Sequence, residues 1–360
     1  MGQHVHELSA LLGGVASGRG VRPGPCHVTT GETAGLRQVT LGNDAVRAEI
    51  LLDKGANVRQ VWHVPTGART LAESRDWQEQ LAEFRRRGRR GSSYSDCYEG
   101  GWQDVLPARA QWDGGIAIAD GEGVGEAAIV PWGLLQVESS PDVAQVVCRA
   151  GLPRSGLHVM KRFGVRRGSG TLRIDTTVRN ASGRALRLHW TQHPALGGDL
   201  LDDASYVQLP GGRARACRDE PDRHVAGRGA SALWTSGWVP ADALQPSDGS
   251  PDRFTTFADV ERGEAALAHP ARGVGVAVRW DTSIFPHAWL WSARRESIRC
   301  VAVEPSTTYL PEMIPRAEPD VLHLLRPGES MHAWVELATF APGPILPGHR
   351  PSGLARRLGE

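Results

Sequence analysis

The chain of 360 residues has almost no excess of either charge: 41 Lys and Arg stand against 40 Asp and Glu, a formal net charge of +1. Polyanions are bound through clustered surplus positive charge, so the composition makes no case for a nucleic-acid partner. Long apolar runs are missing too. None approaches the roughly 20 residues that cross a bilayer as a helix, and no membrane partner is expected. The opening residues MGQHVHELSALLGG place no Lys or Arg ahead of a short apolar stretch broken by His. No signal peptide is read there, and a cytoplasmic location is expected. The five cysteines, Cys26, Cys97, Cys148, Cys217 and Cys300, lie far apart with no CxxC pair. An odd, scattered set argues against a disulfide framework and a structural zinc site, and fits thiols in a reducing compartment.

Helical periodicity is nearly absent. The one good window is DWQEQLAEFRRR, where Trp77, Leu81 and Phe84 share a face behind Ser74 or Asp76 as a cap. Nothing matches GxxxxGK[ST], and no GxGxxG lies between a strand and a helix, so a phosphate cradle is excluded. What the chain does have is 43 Gly and 24 Pro, the composition of many short strands and tight turns. Residues 170–179 (GTLRIDTTVR) alternate Leu172, Ile174, Thr176 and Val178 against Arg173, Asp175, Thr177 and Arg179, the pattern of a half-buried antiparallel strand. The same period recurs in 157–163, 185–190, 274–280 and 298–303, and in Met331, Ala333, Val335 and Leu337. Strands at short spacing without alternating helices predict an all-β sandwich, large at this length. Residues 1–35 lack periodicity and are expected to be peripheral, with one domain over 36–345 and a tail over 346–360. The turn formers of 240–252 are read as a surface excursion. The charge run FRRRGRRGSS (84–93), with its Arg85–Arg90 cluster, is read as a solvated loop or as a flap whose arginines meet an anionic ligand group.

Two segments carry the candidate chemistry. In LHWTQHPALGGDLL (188–201) a strand delivers His193 and is expected to stop at Pro194, leaving the imidazole at a strand end. In SIRCVAVEPSTTYLPE (297–312) Glu304 closes an apolar strand just before Pro305. A carboxylate there is costly unless it is paired, hydrogen-bonded or used. Tryptophan is over-represented, with 12 residues against 6 Phe and 4 Tyr. Flat apolar faces with one N–H donor suit both a core and a sugar-binding cleft.

In their order and spacing these segments resemble the aldose 1-epimerase (galactose mutarotase-like) superfamily. The resemblance rests on QHPALGG and VAVEPSTTY, on the aromatic stretch FPHAWLW (285–291), on LLDKGANVRQVWHVPTGARTL (51–71), on YEGGWQDVLP (98–107) and on LLRPGES (324–330). It spans about residues 36–340. It implies a β-supersandwich and a mechanism in which a glutamate takes the proton of the anomeric hydroxyl while a histidinium protonates the ring oxygen. Glu304 would be the base and His193 the acid, with no metal or organic cofactor required and a small-molecule carbohydrate as partner. The pair is expected to face one pocket with a sugar ring's width between the two side chains. Trp102 and Trp289 are the expected sugar platforms, Gln103 and Asp104 the groups that fix hydroxyls, and Asp259 a further carboxylate for the sugar. Trp132, Trp190 and Trp291 fit core or cleft equally.

One position departs from the family pattern. Members often place a second histidine before a strand that leads to a Pro-Trp pair; here GVGEAAIVPWGLLQV (123–137) puts Val124 there. That leaves three readings open: anomer interconversion on a free or substituted sugar, proton abstraction from carbon on an oxidised sugar by a lyase or isomerase, and carbohydrate binding without catalysis. The identity of the sugar and the oligomeric state stay open at this level.

Overall fold

The computed structural model describes residues 24–88, 98–107, 110–112, 115–117, 125–217, 231–234, 237–246, 252–307 and 323–343. These residues form an all-β, antiparallel supersandwich. Among them, one sheet has 12 strands, a second has nine and a small third sheet has four. The centre of the large sheet runs, in spatial order, through Asn57–His63, Trp102–Val105, Thr191–Leu196, Arg299–Ser306, His287–Arg294 and Arg253–Ala258. The nine-stranded sheet has Val274–Trp280, Ser330–Phe340, Thr171–Asn180, Leu157–Arg166 and Val143–Leu152 as consecutive neighbours.

The period-2 sequences become the faces that meet. Leu157, Val159, Phe163 and Val165 alternate with exposed His158, Met160 and Arg162 along one strand, and Met331, Ala333, Val335 and Leu337 do the same on another. They pack in one apolar cluster with Leu290, Val301 and Val303 of the large sheet. The core is therefore the layer between the two sheets, and every large-sheet residue one step out of phase points away from it.

The expected helix forms as Trp77–Arg87, burying Leu81 and Phe84. Neither expected cap closes its N-terminus: Asp76 makes no capping bond from its side chain, and Ser74 Oγ donates instead to Asp76 Oδ1 at 3.0 Å. The N-terminal boundary lies earlier than expected. His27–Thr33 is the edge strand of the large sheet, paired with Leu36–Gly42. Most of its side chains are exposed, so no apolar alternation marks it. The tail 346–360 lies outside the described residues. No helix among the described residues is long and apolar enough to cross a membrane.

The chain contains only two lysines, Lys54 and Lys161, and both are buried. Lys54 pairs with Glu99 beneath the Phe84 ring. Lys161 reaches across the core to Asp104 at 2.6 Å.

Candidate active site

Antiparallel pairing sets one row of side chains across the large sheet. Gln103 lies opposite His193, and Glu304 opposite Trp289. Thr191 stands opposite Ser306 and Ala195 opposite Ala302, a register that puts His193 opposite Glu304. Residues opposite one another share a face, so Gln103, His193, Glu304 and Trp289 all project from the side turned away from the core. Both strands run on through their prolines, to Leu196 and to Ser306. His193 and Glu304 therefore sit within strands and not at their ends, as Pro194 and Pro305 had suggested. The prolines act differently: with no N–H to donate, they fall where backbone pairing between these two strands is interrupted, from Gln192 to Pro194 against Val303 to Pro305.

His193 Nε2 and Glu304 Oε1 are 3.3 Å apart, with side-chain exposures of 11% and 4%. This corrects the expected separation by a ring's width. Opposed residues on adjacent strands bring their Cβ atoms within about 5 Å, so direct contact is the default. Burial pushes His193 down to about 4 and lifts the Glu304 carboxyl well above the usual carboxylate range. Both shifts favour the uncharged forms, a carboxylic acid beside a neutral imidazole. Such a pair holds one mobile proton, and moving that proton across the contact yields carboxylate and imidazolium without changing the total charge.

Aromatic rings wall the pair. Tyr98 packs edge-on to His193, centroids 5.2 Å apart, and its hydroxyl lies 3.3 Å from His193 Nδ1. Trp291 lies 5.3 Å from the same imidazole. Ala195, Ala302 and Trp291 are the next residues along the face, and the two alanines leave room for these rings. Trp291 is fixed by its Nε1–H donating to Asp252 Oδ2 at 2.7 Å, a carboxylate also held by Arg295. On the other side Trp289 meets His189 edge-on at 5.1 Å, beside Thr191 and Ser306, whose hydroxyls are 3.0 Å apart.

Of the residues picked from the sequence, His193, Glu304, Trp289 and Gln103 come together. Gln103 Nε2 donates to Gly100 O at 3.3 Å, while its buried Oε1 has no hydrogen-bond partner among the described residues. Trp102 and Asp104 do not join them, because strand neighbours of Gln103 must face the opposite side. Trp102 belongs to the core and its Nε1–H donates to Gln192 Oε1 at 2.8 Å. Asp104 accepts from Trp190 Nε1 at 2.9 Å, from Gln192 and from Lys161, a structural knot between the sheets. Asp259 stands beside the row: it is exposed in a left-handed turn and its backbone N–H donates to His287 Nδ1 at 3.4 Å. Trp132 and Trp190 are core residues. Val124, Arg89 and Arg90 lie outside the described residues, while Arg86 and Arg87 pair with Glu83 on the helix. Trp291, which the sequence left between core and cleft, is brought to His193 by register, and Tyr98, which carries no sequence signal, by the backbone ahead of Trp102. No cluster of three or more His, Cys, Asp or Glu among the described residues could hold a metal ion.

Comparison with known proteins bears on the family and the fold. The family model described as "Domain of unknown function (DUF4432)" matches residues 142–339, a span that holds His193, Trp289 and Glu304 but not Tyr98 or Gln103. No curated protein matches the sequence significantly. Among solved structures, a galactose mutarotase-like protein from Clostridium acetobutylicum superposes with a TM-score of 0.66 at 14% identity, covering 88% of this chain and 99% of that one. A "putative aldose 1-epimerase" from Escherichia coli K12 gives 0.60 at 16% identity, covering 87% and 99%. A galactose mutarotase-like protein from Lactobacillus casei gives 0.58 at 14%, covering 84% and 99%. At these identities the likeness is one of fold.

Proposed function

The chain belongs to the DUF4432 family, and we propose from its site that it is an aldose 1-epimerase-like enzyme that interconverts the anomers of a sugar or sugar derivative. The observation that carries the reading is the buried Glu304–His193 contact at 3.3 Å beside Trp289, on the face of the sheet that does not serve the core. Ring opening removes a proton from the anomeric hydroxyl and adds one to the ring oxygen. Both oxygens are bonded to the same carbon, so an acid and a base in contact can serve the two without spanning the ring.

In this reading the pair's proton first shifts from Glu304 to His193. Glu304 then takes the anomeric proton while His193 Nε2 protonates the ring oxygen. The bond between the anomeric carbon and the ring oxygen breaks, leaving an open-chain aldehyde. Rotation about C1–C2 and reversal of both transfers give the other anomer and restore the pair. No net proton is exchanged with solvent. Positioned acid and base groups of this kind each contribute about 100-fold or more. Trp289 offers an apolar face for the ring, and the unpartnered Gln103 Oε1 can accept from a sugar hydroxyl. A cytoplasmic setting is part of the proposal, supported by Cys26, Cys148 and Cys300 being free, buried thiols.

The test is anomer exchange by NMR over a panel of free and substituted sugars. The expected result is acceleration for at least one sugar, lost by about 100-fold or more in Glu304→Gln while binding persists. No acceleration for any sugar overturns the proposal. Tight binding alone would then point to a carbohydrate-binding protein, and elimination from an oxidised sugar to a lyase.

A further inference from the structure

Tyr98 is drawn to His193 by an unusual piece of backbone. In YEGGWQ the chain must turn Tyr98 over the outer face, send Trp102 into the core and still place Gln103 in the row. Gly100 and Gly101 do this with φ values of 92° and 81°. A Cβ on Gly100 would collide with the backbone carbonyl of Ala72, and one on Gly101 would lie 2.6 Å from Val58 O. The tyrosine ring is then held from two sides, edge-on to His193 at 5.2 Å and to Trp291 at 5.7 Å.

We propose that Tyr98 is a positioning residue: its hydroxyl engages His193 Nδ1, at 3.3 Å, and so keeps Nε2 turned toward Glu304. A phenol is both donor and acceptor and its hydrogen rotates. It can donate to Nδ1 when the imidazole is neutral with its hydrogen on Nε2, and accept from Nδ1–H when the imidazole is protonated or carries its hydrogen on Nδ1. One side chain thus satisfies Nδ1 in every proton state the pair passes through, while the Nε2–Glu304 contact carries the chemistry. Histidine orientation is commonly set in this way by the partner of the nitrogen that does not react. Tyr98 never needs to touch the sugar. The inference rests on the pair's being the working acid and base, but the hydrogen bond itself can be read without any turnover.

The experiment is 15N NMR of the full chain labelled at histidine, with His193→Asn to assign the His193 nitrogens. In Tyr98→Phe the Nδ1 resonance is expected to move and the balance between the two neutral tautomers to change. In the anomer-exchange assay the same variant should lose about tenfold in kcat with KM changed less than twofold, because the acid is disordered and the sugar contacts are kept. A second measurement needs no variant that might fold poorly. Replacing the four tyrosines by 3-fluorotyrosine makes the phenol a stronger donor and should shift His193 Nδ1 in the otherwise unaltered protein. Unchanged His193 resonances under either perturbation overturn the proposal. A wild-type protein that exchanges no anomers, yet shifts its His193 resonances in Tyr98→Phe, overturns the enzymatic reading and leaves the Tyr98 contact standing.

Discussion

The proton arithmetic of the buried pair makes a prediction about stability, independent of any substrate. An unfolded chain carries its histidine near 6.5 and its glutamate near 4.3. In the folded chain His193 lies at about 4 and Glu304 well above 4.5. Between pH 5 and 6.5 the unfolded state therefore binds a proton on His193 that the native state does not, so this residue's contribution raises stability as pH rises. Glu304 does the opposite: the native state keeps a proton that the unfolded carboxylate has lost, so stability falls as pH rises. For His193 the slope falls from about 1.3 kcal/mol per pH unit near pH 5 to about half that at pH 6.5, about 1.5 kcal/mol over the interval. In the wild type the two contributions oppose one another, because the native state favours the proton on Glu304 and the unfolded state on His193. Single replacements unmask them. His193→Asn should lose about 1.5 kcal/mol relative to wild type from pH 5 to 6.5, and Glu304→Gln should gain stability relative to wild type over the same interval. Urea unfolding followed by tryptophan fluorescence at several pH values measures both differences, and all other titrating groups drop out of the comparison. Difference curves that stay flat for both variants would refute the account of a neutral, buried pair.

The two tryptophans first taken as sugar platforms should separate by assay: Trp289→Leu raises KM for the sugar by up to about tenfold with little change in stability. Trp102→Phe, which strips a buried donor from Gln192 Oε1, should cost about 1–3 kcal/mol in urea unfolding and leave KM unchanged in the surviving folded protein. Lys161→Met leaves Asp104 charged and buried without its partner, so a loss of about 3–5 kcal/mol is expected, partly recovered in Lys161→Met/Asp104→Asn. Gly100→Ala forces a side chain onto a backbone at φ 92° and into the Ala72 carbonyl. A destabilisation of at least about 1–3 kcal/mol should appear as a lowered melting temperature.

The legible parts of this protein are those written in a period of two. Alternation in 157–163 and 170–179 located strands and core faces, because one side of each is wet and the other dry. His27–Thr33 is not legible in this way, because most of its residues are exposed. At the site, Glu304 could be found because a carboxylate embedded in an apolar run is conspicuous. The assignment of Trp102, Gln103 and Asp104 together to the sugar failed on parity, since three successive strand residues cannot share a face. Applying the same parity rule to the sequence would have kept either Gln103 or its two neighbours. Tyr98 and Trp291 carry no such signal. Trp291 meets His193 through register across strands distant in sequence, and Tyr98 through the Gly100–Gly101 backbone ahead of Trp102, neither of which the sequence displays.

Register is also what the interior of this molecule protects. Thr191, His193 and Ala195 face outward along one strand while Gln192, Pro194 and Leu196 face inward, so a slip of one residue would bury the imidazole in the core and turn the amide out. Apolar residues alone resist such a slip weakly, since Val301 and Val303 could be exchanged for other apolar residues at modest cost. The Gln192–Asp104–Lys161 knot resists it strongly. Lys161 belongs to the opposite sheet and meets Asp104 across the core, while Gln192, one residue before His193, hydrogen-bonds the same carboxylate. Against a well-packed apolar substitute a buried ion pair adds little net stability. Any misregistered strand, however, leaves a charge buried without its partner, at a cost of several kcal/mol. The two residues of the knot on the large sheet each lie one step out of phase with a residue of the row: Asp104 with Gln103, Gln192 with His193. The polar pins inside the core thus fix, residue by residue, which side chains the outer face presents.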